Sequence, residues 1–383
     1  MTSGVTLTPT SHSTATRLGS VLALSFGCLL CIVAHAPAGK VYWALAGARV
    51  DIYRANLDGS DVEEVILRSA HLHEVQDVAL DLAAGKLYWT EAVWLPEAID
   101  PVGRIMRSDL DGGNVEPLVE TSFDDPVGLA IHPQTNSLFW TLDVFDAQQV
   151  RRIRHAAQDG QNQQDLAIPD FEDALFLAIH SATGRLYWSN FVAGTIQRTN
   201  FDYSSLETIV GPSDLTPISL TIDSLRRSHL YWTWFREGGL LGPKHGIIRS
   251  NLDGTDPQPI VHSIDLLHDI DVDSDHGKIY WTASGLGQRY GKVQRANLDG
   301  SDVEDVTITG AFVTGLAVDP RDFGDLDGNG AVDLRDFAHF QTCFSSTINT
   351  SLPGACSFFN TATADRTISD SDFQAFHAAF VAP

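Results

Sequence analysis

Twelve consecutive residues, 325–336, read DLDGNGAVDLRD and carry oxygen side chains at their first, third, fifth, ninth and twelfth places. Hard cations are bound by several oxygens at this spacing, so Asp325, Asp327, Asn329, Asp333 and Asp336 are expected to ligate Ca2+. The Ala331 carbonyl would supply a further oxygen, and Gly330 allows the sharp turn at the sixth place. The other reading of the stretch is a plain acidic turn. A second set of candidates is His132 and His180, each eight residues before a tryptophan, with Asp81 and Asp273 at matching places. Four such side chains gathered on an axis would hold a metal; at a strand end they would instead support the turn to the next strand. A third set is acidic: Glu74, Asp125 and Asp173 each precede a tryptophan by fifteen residues. They are either solvated loop charge or a site for a cation or basic ligand. No nucleophile elbow, phosphate loop, zinc motif or dinucleotide fingerprint occurs, and the chain is read as non-enzymatic.

The elements behind these residues repeat. KVYWA (40–44), KLYWT (86–90), SLFWT (137–141), RLYWS (185–189), HLYWT (229–233) and KIYWT (278–282) each read as a strand of aromatic and branched residues. Their tryptophans, Trp43, Trp89, Trp140, Trp188, Trp232 and Trp281, are 46, 51, 48, 44 and 49 residues apart. Such a period marks a repeat architecture. Downstream of each stands an apolar residue, usually an arginine, and an Asp-Gly-type turn, as in IYRANLDG (52–59). Upstream stands an alternating strand ending in Asp or His, as in GLAIH (128–132). Four antiparallel strands in six copies predict an all-β six-bladed propeller over 39–321. The first copy lacks an upstream strand and the last upstream strand, 315–319, lacks a tryptophan word. The stretch 313–319 is therefore expected to pair beside 40–44 and close the ring.

Loop lengths vary after the tryptophan strand and hardly at all at the Asp-Gly turns, which predicts one binding face. Its candidate contacts are Trp94, Phe145, Trp234, Phe235, Arg236, Arg289 and Tyr290, with the acidic set Glu74, Asp125 and Asp173 at the same mouth. Beyond 321 the pattern changes. DFAHFQTCF (336–344) and DFQAFHAAF (372–380) place phenylalanines at i, i+3 and i+7, predicting two amphipathic helices in a small all-α domain over 322–383.

The triple words resemble the YWTD propeller of the low-density-lipoprotein receptor and its relatives, across all six repeats. In that family the Asp after Tyr-Trp-Thr joins blades. Here its place is taken by Leu45, Glu91, Leu142, Asn190, Trp234 and Ala283, so the family's polar inter-blade network is not expected in its usual form. The calcium loop and repeated helix resemble a dockerin, an EF-hand pair. That resemblance implies docking onto a cohesin-like receptor. In the second copy Thr361, Thr363, Asp365 and Ser369 fall at ligand places, with Arg366 at the turn glycine, so one intact and one degenerate calcium loop are expected.

Composition narrows the partners. With 25 Lys+Arg against 49 Asp+Glu, the net charge of −24 argues against nucleic-acid binding. Residues 1–38 resemble a secretory signal: Arg17, an apolar run from Val21 to Val33, then Ala34, Ala36 and Ala38. After its removal no transmembrane segment is expected. The weaker alternative is a lipid anchor on Cys28 or Cys31. The chain is thus expected to be secreted or cell-surface associated, and Cys343 and Cys356 to form a disulfide. The reading is a binding scaffold that recognises an extracellular protein or glycan on its long-loop face and docks through a Ca2+-dependent module. The alternative is a lactonase-like propeller hydrolase or lyase with an axial metal.

Overall fold

The computed structural model describes residues 39–46, 50–68, 72–94, 102–122, 124–144, 151–168, 173–223, 229–236, 244–285 and 290–321. The expected leader 1–38, Phe145, Arg289, the calcium loop 325–336, the two C-terminal helices, Cys343 and Cys356 lie outside the described residues.

Among the described residues stand six four-stranded antiparallel sheets. Each is a meander running from an inner strand to an outer one. The inner strands are Phe312–Asp319, Leu72–Asp81, Asp124–His132, Leu177–His180, Thr216–Asp223 and Leu266–Asp273, of blades 1 to 6 in turn. The tryptophan words form the second strands, and the Asp-Gly turns join the third strands to the outer ones. Blade 1 is closed from the two ends of the propeller: Trp43 lies opposite Leu316 and Lys40 opposite Asp319. The expected six-bladed ring and its closure are both present.

The second strands lie buried on both faces because neighbouring blades cover them. Trp43, Trp89, Trp140, Trp188 and Trp281 are each at most 1% exposed. The tyrosine before the tryptophan packs into the adjoining seam, as Tyr42 does among Leu87, Met106 and Leu110 of blade 2.

The seams are sealed by polar bonds, although not those of a YWTD Asp. Thr90, Thr141, Ser189, Thr233 and Thr282 each donate a hydroxyl to a carbonyl on, or just before, the next inner strand: Val127, Leu175, Ile218, His268 and Thr314 respectively. Blade 1 has Ala44 at this place, and there Thr314 donates to the Val75 carbonyl instead, at 2.7 Å. The arginine of the third strand is a second clamp. Arg54, Arg107, Arg198, Arg249 and Arg295 donate Nη1 to the carbonyls of Leu110, Gln158, Leu252, Leu298 and Leu57, in the turn of the following blade. The turn glycines complete the fit. Gly59, Gly112, Gly160, Gly254 and Gly300 have positive φ, and a Cβ on any of them would come within 2.0–2.3 Å of a carbonyl in the preceding blade's outer strand or its approach.

The seam between blades 3 and 4 keeps the Thr141 clamp and departs elsewhere. Phe139 replaces the tyrosine, His155 the arginine, Phe201 the turn leucine and Tyr203 the turn glycine. These residues meet: Phe139 stacks on Phe201 at 6.0 Å and on His155 at 5.8 Å, and His155 meets Tyr203 edge-on at 6.2 Å. Blade 3's outer strand is cut to Gln164–Asp165. The backbone that a turn glycine touches elsewhere is thereby shortened where Tyr203 stands.

Candidate functional site

The inner strands begin, and the second strands end, at one end of the ring, since Leu72 lies opposite Trp94 and Asp124 opposite Val144. The variable loops therefore share that face with the connectors from the outer strands. The Asp-Gly turns occupy the other face.

Asp81, His132, His180 and Asp273 close the inner strands at the Asp-Gly face. Asp81 Oδ1 accepts from Ala84 N–H at 3.0 Å, and Asp273 Oδ1 from His276 N–H at 2.9 Å. His132 Nδ1 accepts from Thr135 N–H, and His180 Nδ1 meets Thr183 Oγ1. Each supports a turn three residues on. The His132 ring rests edge-on against Phe201, at 4.7 Å, in the blade 3–4 seam. Burial pushes both imidazoles below their ordinary range. Among the described residues no group of three or more His, Cys, Asp and Glu could hold a metal.

The acidic set, by contrast, is brought together on the loop face of blades 2 to 4. Asp125 is the second residue of the inner strand of blade 3, opposite Asp143. Burial, then Glu74, then Asp143 push its carboxyl up to about 7. Asp125 Oδ1 is shielded and has no hydrogen-bond partner among the described residues. Arg151 joins the set from the side, reaching Asp143 and Asp173 at 3.3 Å each. Arg151 thus pairs with two of the four carboxylates. Asp143 was missed in the sequence because it lies three residues after a tryptophan, outside the repeated upstream words. Its signal was the register: strand pairing puts it beside Asp125.

The predicted aromatic contacts divide. Trp234 is in the core, 2% exposed, packed against Gly246, where a Cβ would be 2.8 Å from its ring. Phe235 is half-buried, its ring tilted by 31° against His245 at 5.3 Å. Arg236 lies 5.6 Å above Trp234 and pairs with Asp214 at 3.0 Å. Tyr290 is half-buried, under the Lys292 ammonium. Trp94 ends its strand at the same face. Large apolar side chains do face solvent there: Phe191 and Val192 on the short blade 4 loop, and Ile264 on the connector into blade 6.

Along the axis the inner strands enclose a cavity of about 220 Å³. Its ionisable lining is Asp77, Asp269 and Asp271. Sequence reading passed these over, because at their strand positions the other blades carry Gly, Ala, Phe, Ser or Thr.

Comparison with known proteins agrees with the fold. No family model matches the chain. It is 31% identical over 87 residues to low-density lipoprotein receptor-related protein 5 of Mus musculus, covering 23% of this chain and 5% of that one. It is 42% identical over 71 residues to low-density lipoprotein receptor-related protein 1 of Pyricularia oryzae, covering 18% and 23%. Protein cueball of Drosophila yakuba is 29% identical over 106 residues, covering 27% and 15%. The chain thus matches less than a quarter of the length of each of these relatives. Among solved structures, a chain of a nidogen/laminin complex superposes with a TM-score of 0.57 at 18% identity, covering 73% of this chain and 98% of that one. TolB of Acinetobacter baumannii gives 0.59 at 12% identity, covering 74% and 67%. Both likenesses are of fold. No helix among the described residues is long and apolar enough to cross a membrane.

Proposed function

We propose that the propeller is a non-catalytic protein-binding module, and that its long-loop face takes a segment bearing Lys or Arg beside apolar residues. The acidic arc of Glu74, Asp125, Asp143 and Asp173 carries this reading. Its carboxylates repel one another, and Asp125 Oδ1 has no donor among the described residues, so an incoming ammonium or guanidinium would relieve both strains. Exposed Phe191 and Val192 on the neighbouring blade offer the apolar part of the contact. The likeness to low-density lipoprotein receptor-related proteins, and to a propeller solved in a complex of nidogen with laminin, supports protein rather than small-molecule recognition.

The test is a binding screen with immobilised basic, neutral and acidic peptides and glycans, read by surface plasmon resonance. A basic peptide should bind, and Asp125→Asn or Glu74→Gln should weaken it roughly tenfold each, in line with about 1.5 kcal/mol for a charge-assisted bond. Asp125 ionises through about pH 7, so binding should be tighter at pH 8 than at pH 6. Undiminished, wild-type binding by both variants, or a preference for glycans, would remove the acidic arc from the site.

The same reading makes the protein exported and places Ca2+ in 325–336. The donor set there is all oxygen, which suits a hard cation. Bound Ca2+ would neutralise Asp325, Asp327, Asp333 and Asp336 and couple their folding to binding. Isothermal titration of the whole chain should show one tight calcium site, and Asp325→Ala should weaken it sharply while Asp365→Ala leaves it unchanged. Two equally tight sites would mean that the second loop is intact.

A further inference from the structure

Asp77 and Asp269 stand at the same place in the inner strands of blades 2 and 6, with the closing blade between them. A bulge in each strand falls at or just before the residue, and its N–H donates to the threonine of the tryptophan word: Thr90 for Asp77, Thr282 for Asp269. Asp77 Oδ1 then accepts from Val78 N–H at 2.8 Å and its Oδ2 from Leu129 N–H of blade 3 at 2.7 Å. Asp269 Oδ1 accepts from Ile270 N–H and Ser219 Oγ, and its Oδ2 from Leu316 N–H of blade 1 at 2.6 Å. Both residues are buried, 6% and 4% exposed. Blade 1 has Gly315 at this place, and a Cβ there would lie 2.7 Å from Asp77 Cα. With no side chain on the blade between them, the two residues line the same axial cavity.

We propose that Asp77 and Asp269 share one proton across the channel and so latch blade 6 to blade 2 over the closing blade, a device that holds the ring more firmly in mild acid than at neutral pH. Two buried carboxylates that share one small cavity do not both stay charged without a cation, and a carboxylic acid that keeps its proton can donate to the other. Among the described residues the cavity lining supplies no cation. The inner strands of blades 1, 3, 4 and 5 present only uncharged side chains to the cavity, Ser219 and Thr221 among them. The third ionisable group is Asp271, on the strand of Asp269, and it too is acidic. Burial and then Asp269 hold Asp77 well above the carboxylate range, while burial lifts Asp269 to about 6. The sign follows. In the unfolded chain both groups lose their protons near the ordinary value of 3.8. The native ring keeps one, so its advantage is complete below that value and is lost as pH rises through the raised native values.

The experiment is chemical unfolding of the full chain from pH 4 to pH 8. One extra proton on the native state raises the unfolding constant up to tenfold per pH unit across that window. Asp125 and Asp271 add their own slopes, so the reading is taken from variants. Asp77→Asn and Asp269→Asn should each flatten the wild-type dependence by the same amount, and the double variant should flatten it no further. Additive flattening would mean two independent carboxyls, and an unchanged slope would mean no shared proton; either overturns the latch. Should the variants fail to fold, the assigned carboxyl 13C resonances of Asp77 and Asp269 in the wild type decide. They should move together in one step above pH 5, and separate titration near pH 4 would refute the proposal.

Discussion

Arg198 holds Glu207 with Nε and Nη2 while its Nη1 donates to the Leu252 carbonyl in the next blade, at 2.7 Å. Its guanidinium also lies 5.9 Å from the Tyr187 ring centre. A planar fork with five donors can satisfy both directions at once; an ammonium cannot. Arg198→Ala leaves the Leu252 carbonyl without its partner and Glu207 with only the more distant Arg185, at 3.7 Å. The expected loss is about 2 kcal/mol, with Arg198→Lys recovering less than half, measured by urea unfolding. A loss below about 0.5 kcal/mol would show that the ion pair is solvated and the carbonyl finds water. The half-exposed Glu207 argues that most of the effect comes from the carbonyl, because a solvated ion pair contributes little. This arginine was visible in the sequence as a repeated letter, but its role was not. Nothing local says that the acceptor lies 54 residues away.

Turns and strands show where legibility ends. The tryptophan strands and Asp-Gly turns were readable because their patterns are local: alternation for burial, Gly for positive φ. Gly300 and Gly277 look alike by that standard, at φ +82° and +67°. Their surroundings differ. A Cβ on Gly300 would meet the Ile260 carbonyl at 2.1 Å, whereas nothing lies within 4 Å of one on Gly277. Gly277→Ala should cost about 1–2 kcal/mol from backbone strain alone. Gly300→Ala should cost at least twice that, since blade 5 must shift, and thermal unfolding of the two variants compares them directly. Equal losses would mean that the outer strands yield freely. The departures at Phe139, His155, Phe201 and Tyr203 were likewise visible as broken words, yet only the packing shows that they form one aromatic seam. The acidic arc was half legible. Glu74, Asp125 and Asp173 share a repeat position, while Asp143 and Arg151 depend on strand register and loop course. The axial ring of Asp81, His132, His180 and Asp273 shared a position too. A common place in the repeat fixes the height on the blade but not the direction of the side chain.

The propeller as a whole depends on one pairing between distant segments. The strand Phe312–Asp319 supplies the inner strand of blade 1, and Gly39 N–H donates to the Arg321 carbonyl at 2.9 Å beside it. A chain ending at 312 would lose Leu316 and Val318 from the blade 1 core and expose strand edges on either side of the gap. It should aggregate or lack a cooperative melt, whereas a chain ending at 321 should melt as one unit; size-exclusion chromatography with calorimetry distinguishes them. A monomeric, cooperative 39–312 fragment would show that five and three-quarter blades suffice. The same pairing sets a timetable during synthesis. Blades 2 to 6 are local meanders and can form as each leaves the ribosome, but Trp43 meets Leu316 only after 273 further residues have been made. At roughly 5–20 residues per second, the edge of the first tryptophan strand stands open for on the order of 15–55 s. For that interval the nascent chain carries an unpaired strand with Val41, Tyr42 and Trp43 bare, and this is the period in which a holdase chaperone would have its substrate.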